Sequence, residues 1–334
     1  MTIDLPMVWA FIIAFAVFAY VFLDGFDLGI GILSAFVGRR EDRDLMMNSV
    51  APVWDGNQTW LVLGGGGLMA VFPLAYAVLL PALYAPLIAM LLGLIFRGVA
   101  FEFRHRSRRW RGFWDLGFWS GSLAATFFQG IALGAFIQGI AVDGRAYAGG
   151  WFDWLSPFSL LTAVALAIGY ALLGACWLIY KTEGELQVRF YGYAGRLGRT
   201  VVLLIVIVSL ATPFLAPEIA ERWFSWPNIL FVSPVPLLVA AIAFLFYRAL
   251  EERRELAPFL LAQGFFLLSY IGLGISLFPY IVPRSITVWQ AAAPESTLIF
   301  TLIGAAILIP IILAYSGYSY WVFRGKVRHG EGYH

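Results

Sequence analysis

The chain has 334 residues, 61% hydrophobic and only 13% charged, with a formal net charge of +2. Soluble domains average about 45–50% apolar and about 25% charged, so a soluble globular protein is excluded. The net charge says little about partners, because the charges are sorted by loop, and nothing in the sequence looks like a nucleic-acid surface.

A bilayer crossing takes about 20 mostly apolar residues, and the chain supplies many such runs. They predict an all-α polytopic membrane protein of about nine helices, at 7–34, 57–76, 79–103, 114–142, 155–180, 200–216, 228–248, 258–282 and 296–323. Residues 1–334 read as a single integral membrane domain. A short turn near Ala77 is all that separates the second run from the third. Residues Met1 to Pro6 lack the positive start of a signal peptide, so the first span is expected to be retained.

Asp24 and Asp27 interrupt the first run, spaced to share one side of a helix. Carboxylates are expensive in hydrocarbon, so they need a reason to be there. They read either as interfacial acids at a helix break around Gly25 or as groups in a hydrated proton path. Gly25 and Gly29 have the spacing of a close helix contact, and the run Gly64 to Gly67 reads as packing, since no Lys-Ser/Thr follows to make a phosphate loop. Asp55 opens the second run between Trp54 and Trp60, as a helix N-cap, a proton relay, or both. The two tryptophans read as interfacial anchors or packing residues. Arg97, inside the third run, is expected to snorkel toward the headgroups. Glu102 is expected to pair with a neighbouring arginine, with a proton role as the alternative.

The loops carry charge unequally. One set holds Arg39, Arg40, Arg43, then Arg104, Arg106, Arg108, Arg109 and Arg111, and continues through Lys181, Arg189, Arg196, Arg199, Arg248, Arg253 and Arg254 to Arg324, Lys326 and Arg328. The other set holds only Arg145, Arg222 and Arg284, amid aromatic residues such as Trp151, Phe152, Trp154, Trp223, Phe224 and Trp226. Positive residues stay inside, so the N-terminus is expected outside and the C-terminus inside. Cys176, the single cysteine, cannot form an internal disulfide.

Heme iron is held by axial His, Met, Cys or Tyr. The histidines, His105, His329 and His334, fall in an inner loop or the tail, and Met69 and Met90 read as packing residues. No cluster has zinc or copper ligand spacing. The chain is therefore expected to bind no heme or metal by itself.

Three segments carry a resemblance: Asp24-Gly-Phe-Asp-Leu-Gly-Ile-Gly31, Ala51-Pro-Val-Trp-Asp-Gly-Asn-Gln-Thr-Trp60 and Phe96-Arg-Gly-Val-Ala-Phe-Glu-Phe-Arg104. Later echoes are Leu277-Phe-Pro-Tyr280, Trp289 and Tyr318-Ser-Tyr-Trp321. Together they resemble subunit II of the cytochrome bd-type quinol oxidases, including the cyanide-insensitive branch. The likeness is dense over the first third of the chain and thinner through the middle. It implies two four-helix bundles plus a peripheral helix in a bacterial inner membrane. It also implies a partner, subunit I, carrying two b-type hemes, heme d (or a third b-type heme) and the quinol site, where oxygen is reduced to water. The second subunit of this family is thought to supply acids for cytoplasmic proton delivery, which the resemblance places at Asp24, Asp27 and Asp55. Val53 departs from members with histidine before the Trp-Asp, which removes an imidazole relay there. The resemblance leaves open a structural quinone and a small accessory subunit. Two other classes stand beside it: a purely structural, assembly-stabilising subunit, and a proton-coupled secondary transporter, against which the clustering of the acids toward one face argues.

Overall fold

The structure, a computed structural model, describes residues 3–107, 109–215 and 217–328. Arg108, His329 and His334 lie outside the described residues.

Helix α1 (Leu5–Ser34) is the central element, and it runs unbroken past Gly25. The helix break entertained for Asp24 and Asp27 is therefore absent, and both acids sit in regular helix. Asp4 caps its start by accepting from the Met7 amide at 3.1 Å, and Pro6 occupies the first turn, where a missing N–H costs nothing. Helices α2 (Arg40–Asn48) and α3 (Trp54–Val71) follow. The loop expected around Arg43 thus folds as a helix, because Leu45, Met46 and Met47 give it a buried face while Glu41 and Asp42 complement its N-terminal dipole.

The expected turn at Ala77 is not one. Ala77 lies inside α4 (Pro73–Ala82), and the chain breaks on either side, at Phe72 and Leu83. Pro73 lacks an N–H and crowds the residue before it, so Phe72 leaves the helical region (φ −131°, ψ 60°). Next come α5 (Tyr84–Arg106) and α6 (Arg111–Gln138), then a hairpin of β1 (Val142–Asp143) and β2 (Ala146–Tyr147).

Helix α7 (Pro157–Lys181) opens on a Ser156/Ser159 capping box. Helix α8 (Gly184–Ala211) begins well before the expected residue 200. Leu186, Phe190, Tyr191, Ala194 and Gly198 form a buried helical stripe there, so a segment read as an arginine-bearing loop is amphipathic helix. A short 3-10 turn, α9 (Pro217–Phe224) and α10 (Asn228–Val232) lead to α11 (Pro234–Glu251) and α12 (Ala257–Leu277). A second hairpin, β3 (Tyr280–Val282) with β4 (Ile286–Thr287), and α13 (Val288–Ala291) precede α14 (Glu295–Val322).

Among the described residues, eight helical segments are long and apolar enough to cross a membrane: 5–34, 84–104, 111–138, 157–181, 184–214, 228–251, 257–277 and 295–322. The expected span at 57–76 is not among them. Its counterpart α3 opens with Asp55, Asn57 and Gln58 and carries five glycines, and α4 that continues it is short.

Close packing builds the bundle around α1. A Cβ on Gly29 would lie 1.7 Å from the Tyr170 carbonyl oxygen, and one on Gly174 would lie 2.6 Å from Gly29, so α1 and α7 touch backbone to backbone. Gly93 and Gly121 do the same for α5 and α6, where a Cβ on Gly121 would reach 2.7 Å from the Arg97 amide. By contrast Gly65 and Gly66 face open space, and of their run only Gly64 and Gly67 meet α1. Phe26 stacks on Trp177 at 4.3 Å, with Phe259 edge-on to both. Around this core the exposed side chains are apolar, as a lipid-facing surface requires. Helix α14 is peripheral, with only Leu298 and Ala305 buried.

The two hairpins lie at one end of the bundle, where Trp289 donates to Asp4 at 2.9 Å and the Ala293 amide bonds the Val71 carbonyl. The arginine-rich segments gather at the other. There Lys181 donates to the Phe323 and Gly325 carbonyls, both at 2.5 Å, tying α14 to α7.

Candidate functional site

Asp24 and Asp27 are both fully buried, held in regular helix by the apolar turns on either side of them. The cation beside them is Arg97. Its Nη1 lies 3.0 Å from Asp24 Oδ1, and its side chain is 1% exposed. The expectation that Arg97 snorkels is overturned: the Gly93/Gly121 contact presses α5 against α6 and leaves the guanidinium inside the bundle. An isolated buried ion is strongly disfavoured, and the carboxylates of α1 supply the counter-charge. The Trp54 ring lies 6.0 Å from the guanidinium, which gives that tryptophan a packing role rather than an anchoring one. Trp60 is likewise buried, edge-on to Phe15 at 5.6 Å.

Asp27 is held differently. Asn57 Nδ2 donates to Asp27 Oδ2 at 2.7 Å and to the Leu23 carbonyl at 3.1 Å. The Tyr320 hydroxyl, from α14, donates to Asn57 Oδ1 at 2.8 Å. A chain Tyr320–Asn57–Asp27 thus crosses three helices and ends beside the Asp24–Arg97 pair, whose guanidinium also acts on Asp27 through its charge. Tyr20, one turn before Asp24 on α1, faces the same carboxyl, and Gln129 donates to Tyr170 at 3.0 Å. Asp27 Oδ1 and Arg97 Nε and Nη2 have no hydrogen-bond partner among the described residues. The cluster has two carboxyl groups and one guanidinium, so full ionisation leaves one net negative charge in a buried interior.

Two turns further along α5, about 10 Å along the axis, Arg104 is also buried at 1% exposure. It lies 2.6 Å from Asp44 and in close contact with Asp115, and Arg43 reaches Asp115 at 2.7 Å. In the sequence Arg43 and Arg104 read as loop charges, and Asp44 and Asp115 carry no signal of their own. The signal was the spacing of Arg97 and Arg104, which places two arginines on one face of an apolar helix.

Asp55 and Glu102 do not join this cluster. Asp55 lies in the first turn of α3, is exposed, and makes no capping hydrogen bond; Val53 holds the cap position, so the N-cap reading fails. Glu102 is exposed and forms no ion pair with an arginine among the described residues, contrary to expectation. Asn57 and Tyr320 fall within the motifs that carry the resemblance, but the sequence assigns neither a role. Among the described residues no group of His, Cys, Asp and Glu side chains is placed to hold a metal ion.

Fold and site together define a multi-pass helical membrane protein with a buried acid–arginine cluster near its arginine-rich end. The family profile described as "Cytochrome bd terminal oxidase subunit II" matches residues 5–323, and the chain belongs to that family. It is 30% identical to "Cytochrome bd-I ubiquinol oxidase subunit 2" of Escherichia coli K12, the alignment covering 97% of this chain and 95% of that protein. It is 28% identical to "Cytochrome bd ubiquinol oxidase subunit 2" of Bacillus subtilis, covering 97% of each. Its fold is similar to a chain of the bd oxidase from Geobacillus thermodenitrificans, with TM-score 0.77, 16% identity, and coverage of 96% of this chain and 99% of the other.

Proposed function

We propose that the chain is the heme-free second subunit of a bd-type terminal quinol oxidase that reduces oxygen to water in a bacterial cytoplasmic membrane. In this reading it stabilises a heme-bearing subunit I and helps to deliver cytoplasmic protons to the oxygen-reducing site. Family membership over residues 5–323 supports the class. Two b-type hemes and heme d, or a third b-type heme, belong to the partner. The spans here contain no histidine; Met90 and Cys176 are buried in the apolar core, whereas Met69, expected to pack, is exposed.

The chain has its N-terminus outside and its C-terminus inside, which puts the arginine-rich end in the cytoplasm. Helices α3 and α4 together make the ninth crossing, giving two four-helix bundles with α14 peripheral. All of 1–334 then forms one membrane domain.

The observation that carries the proton role is the charge count of the buried cluster. One guanidinium balances one carboxylate, so Asp24 and Asp27 together can cycle one proton between a neutral state and a singly negative one. Arg104, Asp115 and Asp44 connect that cluster toward the cytoplasmic end, and Tyr320–Asn57 fixes the Asp27 carboxyl. Asp55 and Glu102 are exposed acids at the same end and collect protons from water. A purely structural subunit uses the same acids only as ion-pair partners. The unbroken α1 argues against a transporter, which builds its sites from broken helices.

Asp→Asn keeps shape and hydrogen bonding but removes the titratable proton. Asp24→Asn, Asp27→Asn and Asp55→Asn should lower quinol oxidase turnover per heme while the complex still assembles. Loss of assembly before any loss of specific rate would favour the structural reading. Parental turnover in all three variants would refute proton delivery.

A further inference from the structure

At the arginine-rich end, away from the acid cluster, α8 and α11 part to leave a cleft of about 520 Å³. Arg196 and Arg199 of α8 and Arg253, just past α11, line it, with Glu251 as its one acid. Nearby acids do not neutralise these arginines. Glu252 is already engaged by Arg248 at 2.7 Å and Arg254 at 2.6 Å, and Arg196, Arg199 and Arg253 make no ion pair among the described residues. Two of the three are pre-positioned: Arg253 lies over the Tyr191 ring at 4.8 Å and Arg196 over Tyr193 at 5.1 Å. Tyr247 also lines the cleft, and its hydroxyl is buried with no hydrogen-bond partner among the described residues.

The floor of the cleft is glycine. A Cβ on Gly192 would meet nothing within 4 Å, and one on Gly195 only a Leu250 methyl at 4.0 Å. The cleft therefore presents three cations and room for a compact tetrahedral anion. That set matches a phosphate ester, for which arginine forks are good donors.

Phosphate chemistry could come from a lipid or from solution, and the surroundings favour a lipid. The cleft face of α8 continues along the helix to exposed Leu203 and Val206, and that of α11 to exposed Phe244 and Leu237. An acyl chain would lie on those residues while its headgroup occupies the arginines. Basic pockets between membrane helices on the cytoplasmic side hold anionic headgroups in this way. We propose that the cleft between α8 and α11 binds the phosphate headgroup of an anionic phospholipid from the leaflet at the arginine-rich end.

The test uses the complete complex, purified in mild detergent, delipidated, and titrated with phosphatidylglycerol, phosphatidylcholine or inorganic phosphate. Lipid retained on this chain is read by native mass spectrometry. Phosphatidylglycerol should bind tightly and phosphatidylcholine weakly. Arg196→Gln/Arg199→Gln should weaken phosphatidylglycerol about fivefold per arginine. Gly195→Leu, which fills the cleft and keeps every charge, should weaken it as strongly, and it decides the matter if the double variant does not fold. Parental affinity in Gly195→Leu, or equal binding of the two lipids, would overturn the proposal. So would displacement of the lipid by equimolar inorganic phosphate, which would assign the cleft to a soluble phosphate instead.

Discussion

Replacing Arg97 with leucine tests the logic of the buried cluster. The substitution removes a guanidinium that is 1% exposed and 3.0 Å from Asp24. Breaking a buried pair by deleting one partner costs about 3–5 kcal/mol, because the other charge stays buried. Arg97→Leu belongs at the top of that range, since Asp24 and Asp27 both lose their cation and both are fully buried. Asp24→Asn should cost less, about 1–3 kcal/mol. Its amide oxygen still accepts from Arg97, and the guanidinium keeps Asp27 as a counter-charge. The double variant should fall short of the sum by about 1–3 kcal/mol of coupling. Denaturant titration of the complex in mixed micelles gives all three values. A cost for Arg97→Leu below about 1 kcal/mol, or additivity in the cycle, would refute the account of the cluster as one coupled unit.

Gly29→Val should prevent α1 and α7 from closing, because its Cβ would fall 1.7 Å from a backbone oxygen. Yield of the assembled complex should collapse, whereas Gly66→Ala, with nothing within 4 Å, should be neutral. At the arginine-rich end, Lys326 and Gln187 donate to Glu255 at 2.7 and 2.8 Å and hold its carboxyl below the ordinary 4.5. A depressed acid contributes stability above its unfolded pKa and loses it as pH falls through the folded one, so the latch should weaken only below about pH 4.5. Being largely exposed, it contributes at most about 1 kcal/mol. The reporter is hydrogen exchange at the Val327 amide, which bonds the Lys181 carbonyl at 2.9 Å; Lys326→Met should abolish the pH dependence beyond the intrinsic exchange rate. Finally, an impermeant thiol reagent applied to intact cells should label Arg145→Cys and not Arg109→Cys, the reverse pattern inverting the topology. Buried Cys176 leaves the background clean.

The sequence by itself determined the solvent this protein lives in. Hydrophobic run length is a local quantity, and so is the sorting of arginines between loops, so spans such as 5–34, 257–277 and 295–322 were legible to within a few residues. Asp24 and Asp27 stood out for the same reason, as charges inside an apolar run. Where a helix is amphipathic rather than apolar, run length says nothing, which is why α2 and the first half of α8 look like loops in the sequence. The partners of the acids were beyond reach, because Arg97 joins Asp24 across 73 residues, Asn57 joins Asp27 across 30, and Tyr320 joins Asn57 across 263. Rotation about the helix axis decided the rest. Asp55 and Asn57 are two positions apart, on opposite sides of a helix with 3.6 residues per turn, so one faces out while the other binds Asp27. Glu102 likewise turns away from the face that carries Arg97 and Arg104. Those azimuths are set by glycine contacts such as Gly29–Gly174 and Gly93–Gly121, which exist only once the helices have packed.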